Sequence, residues 1–382
     1  MRFELTDEQR MIQQMAADFG RTELAPAAAR LDATKDRTIL KANLKKMADL
    51  GLMAMNIPEE YGGSNTGAVA YSLAMTEIGR ACASTAVTMS VTNMVAEIIL
   101  EFGTEEQKRK YIPQIAGGQY PAGAFGLTEP QAGSDAAAIR TQAVEDADSF
   151  ILDGTKIFIT SAEYSGVFVI WAVTDQAAAK GRGISAFLVE PGAPGFTVGK
   201  DEDKMGQRGS STNQLLFEDC RVPRNQLLGR LHDGYRIALM ELDGGRLGIG
   251  SLALGIGLAA MDFSVNYARE RWQFGRPISE FQAIQWMIAD AGMELEAARM
   301  LLLRAAWLKE NKKPYTQEAS MAKLYASEAA NRACYRAIQI LGGYGYTKDF
   351  PVERYARDAR ITTLYEGTSE IQRLVIARNL LR

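Results

Sequence analysis

The spacing of apolar residues changes twice along the chain. To about Gly117 it is helical, and two capping boxes, TDEQ beginning at Thr6 and TEEQ beginning at Thr104, predict helix starts. From about residue 122 to residue 225, short apolar runs are separated by Gly, Pro and Asp; they include SFILDG, TKIFITS, VFVIWAV, ISAFLVE and NQLLFED. This second pattern is typical of strands in an antiparallel sheet or a small barrel.

Helical spacing returns after Asp233 and continues until Pro314 interrupts it. The apolar surface of these helices is too wide for single-sided surface elements, which predicts a bundle and subunit packing. We therefore expect an α+β protein with one continuous helical bundle. Its predicted parts are an N-terminal α-helical domain (1–121), a central antiparallel β domain (122–230) and a C-terminal α-helical bundle (231–382).

Composition narrows the function classes. The 382 residues carry a formal net charge of −3 with no basic block, which argues against nucleic-acid binding. We find no stretch that approaches the roughly 20 apolar residues of a membrane span. The start MRFELTDEQR lacks the features of a secretory signal, so a cytoplasmic location is expected.

Histidine and cysteine usage excludes several chemistries. His232 is the single histidine and stands in a turn-like stretch without a nucleophile motif, so His-based triads and multi-histidine metal sites are not expected. Cys82, Cys220 and Cys334 are widely separated, and their odd number does not suggest a disulfide framework. They are predicted to be small core residues.

Five segments break the regular patterns. They are AFGLTEPQAGSD (124–135), KIFITSA (156–162), RERWQFGRPI (269–278), QILGGYGY (339–346) and TLYEGTSEIQ (363–372). Each also has an ordinary explanation: a polar loop, a half-buried strand, helix-end cations, a glycine helix stop, and a solvated acid before a helix. These separate explanations do not account for the presence of all five segments in one chain and in this order.

Taken together, the five segments resemble the acyl-CoA dehydrogenase family, and the resemblance covers essentially the whole chain. It implies a helical N-terminal domain, a central β domain and a C-terminal four-helix bundle. It also implies non-covalently bound FAD, a homotetramer built as a dimer of dimers, and an electron-transferring flavoprotein as electron acceptor.

The resemblance also implies the FAD contacts. Arg271 is expected to reach the pyrophosphate from a neighbouring subunit, and Phe158 to lie near the reactive N5 of the flavin. The full set is Phe125, Leu127, Thr128, Gly133, Ser134, Phe158, Ile159, Thr160, Arg271, Gln273, Phe274, Gln282, Gln339, Gly342, Gly343, Thr368, Ser369 and Glu370.

Glu366 matches the catalytic base of the family. Oxidising a thioester between Cα and Cβ requires a base for the α-proton and an acceptor for the β-hydride, and FAD N5 is the implied acceptor. Tyr365 is expected to exclude water and raise the pKa of the acid, while Gly367 leaves room for the thioester. The family uses the amide matching Glu366 and a flavin hydroxyl to hold the thioester oxygen. Ser134, Asp243 and Arg246 match substrate-binding positions.

An alternative position for the base lies in the LDGGR segment. Some family members carry their glutamate beside the arginine there and have no acid at the position of Glu366. This sequence has Gly244 and Gly245 at that place, which leaves Glu366 as the expected base.

The expected substrate is a short, branched or cyclic monocarboxylic acyl-CoA. Relatives that act on dicarboxylic thioesters hold the distal carboxylate with an arginine, but no basic residue stands between Arg80 and Lys108. The family analogy places the uncharged segment TNMV (92–95) along the acyl pocket. Three other functions stay open: an enoyl-CoA reductase running the reverse reaction, an acyl-CoA oxidase, and a non-catalytic flavoprotein assembly factor.

Overall fold

The computed structural model describes residues 4–381, so the predicted outer limits at residues 1 and 382 lie outside the described range. A helical part comes first, and both of its predicted capping boxes are confirmed. A π-helical turn (Gly20–Leu24) joins its first two helices. The helices are α1 (Asp7–Phe19), α2 (Ala25–Thr34), α3 (Arg37–Asp49), α4 (Gly67–Ala81), α5 (Ala83–Phe102) and α6 (Glu105–Ala116).

The central part is an eight-stranded sheet with the order β6-β7-β3-β2-β4-β5-β8, and β1 pairs with β4. The strands are β1 (Ala122–Gly126), β2 (Gln142–Asp146), β3 (Ser149–Thr160), β4 (Ser165–Val173), β5 (Ile184–Val189), β6 (Phe196–Asp201), β7 (Thr212–Pro223) and β8 (Leu227–Leu228). The expectation of a purely antiparallel sheet is corrected, because β4 runs parallel to β1 and to the start of β2.

A second correction concerns the runs SFILDG and TKIFITS, which form one strand, β3, instead of two. Gly154 has a φ of 149° and sits at a register shift against β7. A side chain at this position would meet the backbone of Thr141 at 2.8 Å. The glycine therefore marks a bulge within the strand, whereas the sequence pattern suggested a turn.

The C-terminal part is helical, as predicted. Its elements are α7 (Gly234–Glu270), β9 (Trp272–Gln273), β10 (Arg276–Pro277), α8 (Gln282–Glu310), α9 (Thr316–Leu341), α10 (Val352–Arg360) and α11 (Ser369–Leu380). The expected four-helix bundle thus consists, in the described range, of three long helices with two short ones packed on α9. Pro314 lies in the break between α8 and α9.

One apolar core joins the first and last parts of the chain, because α4 packs against α7. Glycines make this approach close: a Cβ on Gly255 of α7 would lie 2.2 Å from the Thr76 carbonyl oxygen of α4. The sheet has a separate core that includes Phe150, Phe168 and Phe187. The prediction of one continuous helical bundle beside a β domain is confirmed.

The expectation about apolar stretches is wrong for two helices. By length and composition α5 and α7 are each apolar enough to cross a membrane. However, 89% of the apolar window of α5 and 78% of that of α7 are buried inside the protein. These are the positions of core helices. The three cysteines are buried and free, as predicted, and His232 is exposed.

Candidate active site

Glu366 lies in a turn just before α11, and its carboxylate points into the protein. Oε2 is buried and has no hydrogen-bond partner among the described residues. A side chain on Gly245 would place its Cβ 2.7 Å from this oxygen and 2.9 Å from the Met94 sulfur. The carboxylate of Glu366 therefore fills the space that the missing side chain of Gly245 leaves open.

The backbone of this turn has an uncommon conformation. Glu366 has a φ of 53° and Gly367 a φ of 84°. Three hydrogen bonds hold their carbonyl groups: Lys323 Nζ donates to Gly367 at 2.7 Å, and Gln372 Nε2 donates to Glu366 at 3.0 Å and to Gly367 at 2.9 Å. A left-handed glutamate persists only where its surroundings fix it.

Sequence reasoning missed Lys323 and Gln372. Two signals were available: Lys323 is a lone cation in the small-residue stretch SMAKLYASEAA, and Gln372 closes the segment TLYEGTSEIQ itself. The predicted helix start after the turn is present, with Thr368 as N-cap accepting from the amide of Ile371.

Burial raises the pKa of Glu366 to about 7, and the positive charges of Lys323 and Arg246 oppose this rise. Its ordinary value is 4.5. The neighbouring Tyr365 is held by a hydrogen bond that its hydroxyl accepts from Gln207 at 3.0 Å. The acid is thus poised to exchange a proton near neutral pH.

Asp243 and Arg246, the predicted substrate-binding pair, contact each other at 2.5 Å. Arg246 is 5% exposed, and its Nε has no partner among the described residues. Asp243 also accepts a hydrogen bond from Thr316 at 2.5 Å. The pair lies on α7 directly beside Gly245, so the structure brings it to the Glu366 site.

The predicted loop and strand contacts of FAD lie together in the β domain. The Ile157 amide donates to the Thr128 carbonyl at 2.9 Å. The buried Lys156 contacts Glu129 at 2.7 Å and donates to the Leu127 carbonyl at 3.3 Å. The end of β3 is thereby held against the loop after β1. Neither Lys156 nor Glu129 was singled out from the sequence.

The side chains in this region point to different places. Phe158 is 61% exposed with a φ of 58°, and Gly133 has open space where a side chain would be. Ile159, in contrast, is 2% exposed and packs in the core of the sheet. A contact of Ile159 with the flavin, as predicted, would therefore be made by its backbone. The remaining predicted contacts of this region are Phe125, Leu127, Thr128, Ser134 and Thr160.

The other predicted FAD contacts lie in a second place, at the ends of α7 and α9. A cavity of about 480 Å³ is lined by four of them, Arg271, Gln273, Gly342 and Gly343. Gln282, Gln339 and Phe274 are exposed but are not among its lining residues. No lining residue comes from the loop after β1 or from the turn of Glu366. This separation fits a cofactor whose contacts come from two subunits.

These features fit FAD. The open approach at Gly133 and the exposed ring of Phe158 offer a surface to a planar group, and the guanidinium of Arg271 in the cavity suits a pyrophosphate.

The members of the segment TNMV, predicted to line the acyl pocket, make different contacts. Asn93 accepts from the Met55 amide at 2.8 Å and donates to the Leu52 carbonyl at 2.9 Å, and Thr92 accepts from the Gly123 amide at 3.3 Å. Met94 is the member whose side chain reaches the Glu366 site.

A basic residue does reach α5, but from another helix. Lys309 of α8 contacts Glu97 of α5 at 2.5 Å, and both are largely buried. Because Lys309 is distant in sequence, the lack of basic residues between Arg80 and Lys108 gave no indication of this contact. The charge of Lys309 is nevertheless compensated by Glu97.

Comparison with known families gives three matches along the chain. The models described as acyl-CoA dehydrogenase N-terminal, middle and C-terminal domain match residues 6–119, 124–220 and 232–381.

Full-length relatives and solved structures agree with these matches. The chain is 52% identical to a mitochondrial short-chain specific acyl-CoA dehydrogenase of Bos taurus, covering 99% of this chain and 91% of the relative. It is 47% identical to an acryloyl-CoA reductase (NADH) of Anaerotignum propionicum, covering 100% and 96%.

Among solved structures, a butyryl-CoA dehydrogenase of Megasphaera elsdenii has a TM-score of 0.96 at 43% identity. A chain from a study of the electron transferring flavoprotein of Acidaminococcus fermentans has a TM-score of 0.97 at 48% identity. Both likenesses cover 100% of each chain.

Proposed function

The chain belongs to the acyl-CoA dehydrogenase family, and we propose that it oxidises short-chain acyl-CoA thioesters to 2-enoyl-CoA with Glu366 as the base. The enzyme is an oxidoreductase that acts on CH–CH groups and uses FAD. The observation that carries the assignment of the base is the buried, unpartnered Oε2 of Glu366.

Proton abstraction follows from the surroundings of this oxygen. In its ionised form Glu366 offers a desolvated lone pair at Oε2, and no hydrogen bond from the described residues has to break before it accepts the α-proton. A pKa of about 7 leaves a large fraction of the acid ionised near neutral pH and still makes it an effective base. FAD, when bound, supplies the acceptor for the hydride that leaves Cβ.

The turn also offers a donor to the substrate. Among the described residues, the backbone N–H of Glu366 has no hydrogen-bond acceptor in the protein. An amide at this position is suited to the thioester oxygen, which gains negative charge as the α-proton leaves. Gly367 adds no side chain next to this amide.

The residues proposed to hold FAD lie in two places, one in the β domain and one at the ends of α7 and α9. The loop after β1 and the end of β3 would hold the ring, with Ile159 contributing its backbone. Arg271, Gln273, Gly342 and Gly343 would hold the pyrophosphate end across a subunit interface. Thr368, Ser369 and Glu370 lie at the N-terminus of α11, where amide N–H groups favour a negatively charged group.

A short monocarboxylic acyl group suits the site. Lys309, the basic residue that reaches α5 from α8, is paired with Glu97 and is therefore not free to bind a distal carboxylate. The relatives from Bos taurus and Megasphaera elsdenii are named for short-chain and butyryl substrates, which supports the same size class. Asp243 and Arg246 are proposed to contact the CoA portion.

Partners and assembly are proposed on separate grounds. The likeness to the Acidaminococcus fermentans chain supports an electron-transferring flavoprotein as the electron acceptor. Large apolar side chains are exposed on the C-terminal helical part, which supports a homotetramer; they include Trp272, Phe274, Trp286, Met293 and Tyr346. The three buried free thiols fit a reducing, cytoplasmic compartment.

The reverse reaction is a second candidate. The 47% identity to an acryloyl-CoA reductase favours it, because the same base in its protonated form can deliver a proton to Cα. The direction depends on the electron donor or acceptor that meets the protein.

Glu366→Gln tests the assignment of the base. The amide is nearly isosteric but cannot accept the α-proton, so anaerobic flavin reduction by butyryl-CoA should fall by about 10²–10⁴-fold or more. Flavin content and thioester binding should stay at wild-type levels. A reduction rate within a few-fold of wild type would show that Glu366 is not the base.

A further inference from the structure

We propose that Lys323 is a positioning residue for the base: through the Gly367 carbonyl it fixes the turn of Glu366, and its charge favours the carboxylate form of this acid. This inference rests on the proposed role of Glu366 as the base. Lys323 is in α9, outside every segment that carries the family resemblance.

The burial of Lys323 is the first observation. Lys323 is 0% exposed, and a Cβ on Gly250 of α7 would lie 3.3 Å from its Cα, so the backbone of α9 approaches α7 closely at this residue. Among the described residues, the Gly367 carbonyl is its one hydrogen-bond acceptor, at 2.7 Å. An ammonium group has three N–H donors and loses much solvation on burial, so packing alone does not explain a lysine here.

The shape of the turn is the second observation. Gly367 lies between two residues with chemical roles: Glu366 before it and the N-cap Thr368 after it. Lys323 and Gln372 both donate to its carbonyl, and Gln372 also donates to the carbonyl of Glu366. These bonds hold the two peptide groups that flank Gly367, the first of which directly follows the left-handed Glu366, and so help to set the direction of its side chain.

Charge is the third observation. The positive charge of Lys323 opposes the rise that burial causes in the pKa of Glu366, and Glu366 in turn opposes the fall that burial causes in the pKa of Lys323. Arg246 acts on Glu366 in the same direction but is already paired with Asp243. The charged and titratable groups that face this pair are Glu241, Asp243 and Arg246 on α7, Glu328 on α9, Tyr365 beside the turn and Glu370 on α11.

Two substitutions separate the charge from the hydrogen bonds. Lys323→Met removes the charge and one donor while keeping an unbranched apolar stem. Gln372→Met removes the donors of the neighbouring side chain and leaves every charge in place. Both positions are 0% exposed, so the two variants disturb the core to a similar degree.

The measurement is the exchange of the α-protons of butyryl-CoA with solvent deuterium as a function of pH, together with the rate of flavin reduction. Exchange reports the base directly, without the hydride step. In Lys323→Met the midpoint of the pH profile should rise by about one unit, with about tenfold slower exchange on the acidic side. In Gln372→Met exchange should slow without a shift of the midpoint.

The outcomes are distinguishable. A Lys323→Met protein that folds, binds flavin and keeps the wild-type midpoint overturns the inference. If Lys323→Met does not fold, Lys323→Gln retains a donor without the charge, and a wild-type midpoint in that variant overturns it equally. If wild-type protein neither exchanges α-protons nor reduces its flavin with any acyl-CoA, the proposed function itself fails.

Discussion

In its ionised form, Glu366 should lower the stability of the folded protein. Burial places its folded-state pKa at about 7, against an ordinary value of 4.5. For a raised pKa, the folded state holds the proton more tightly, so the group favours folding below its ordinary value. That contribution is lost as the pH rises through the folded value. Glu366→Gln removes this pH-dependent loss and should stabilise the protein most at neutral and alkaline pH.

The magnitude follows from the two values. At full ionisation the shift corresponds to about 3 kcal/mol. Between about pH 5.5 and about pH 7.5 the penalty grows by about 2 kcal/mol, and this difference is the quantity to measure. The amide of the variant lacks a partner for its own N–H groups, but that cost is the same at both pH values and cancels.

Thermal unfolding of wild-type and variant protein, each with the same excess of FAD and at one protein concentration, measures the effect. For a chain of this length about 2 kcal/mol corresponds to about 2–3 °C in Tm. The gain of Glu366→Gln over wild type should therefore be about 2–3 °C larger at the higher pH. Both pH values, about 5.5 and about 7.5, lie below the pKa of Lys323, which is about 8. The protonation of Lys323 therefore changes little between them.

Glu370→Gln is the matched control in the same segment. Glu370 is exposed and its pKa is lowered by backbone and side-chain hydrogen bonds, so its removal should bring no gain at the higher pH. The reasoning is refuted if Glu366→Gln shows the same Tm difference from wild type at both pH values. It is refuted equally if Glu370→Gln gains as much.

Four further predictions concern the reaction and the cofactor. Anaerobic flavin reduction by butyryl-CoA should rise about tenfold from pH 6 to pH 8, because the pKa of Glu366 is about 7; a flat stopped-flow profile would contradict this. Arg271→Ala should weaken FAD binding by about 1.5–3 kcal/mol and reduce the tetramer fraction, measured by flavin titration and light scattering, whereas Arg269→Ala should change neither. Lys156→Met leaves the buried Glu129 without its cation and should lower Tm and FAD affinity far more than Lys180→Met in an exposed pair, by calorimetry and flavin titration. Gly245→Glu combined with Glu366→Gly should recover at least about tenfold of the reduction rate lost in Glu366→Gly alone, and no recovery would show that the two positions do not share one space.

Local order could be predicted well from sequence. The capping boxes at Thr6 and Thr104, the break at Pro314 and the glycine stop after α9 are decided by neighbouring residues, and the structure confirms them. Gly154 shows the limit of such reasoning, because a glycine between apolar runs is compatible with a turn and with a bulge. The partner strand, which is distant in sequence, decides between them.

The motifs of the site could be recognised from the sequence, but the residues that hold these motifs in place could not. Glu366 and Tyr365 stand in a recognisable segment, whereas Lys323 and Lys309 act through contacts with residues 44 and 212 positions away. Apolar spacing reports which face of a helix is buried, not which distant carbonyl or carboxylate a buried lysine meets. The register shift between Lys156 and Ile159 likewise depends on β7, which is distant in sequence, and interrupts the alternation of β3.

The glycine at position 245 has a reason that the sequence alone did not supply. In the sequence, Gly245 only removed a competitor for the role of base. In the structure, a Cβ at this position would lie 2.7 Å from Glu366 Oε2, so a larger residue there would displace the carboxylate. Side chains at two positions, one on α7 and one in the turn before α11, would therefore occupy the same small volume. A chain that places its acid in the turn must keep position 245 small. The acid at 366 and the glycine at 245 are thus two parts of one arrangement, because a larger residue at 245 is compatible with the site only if the acid at 366 gives up this volume.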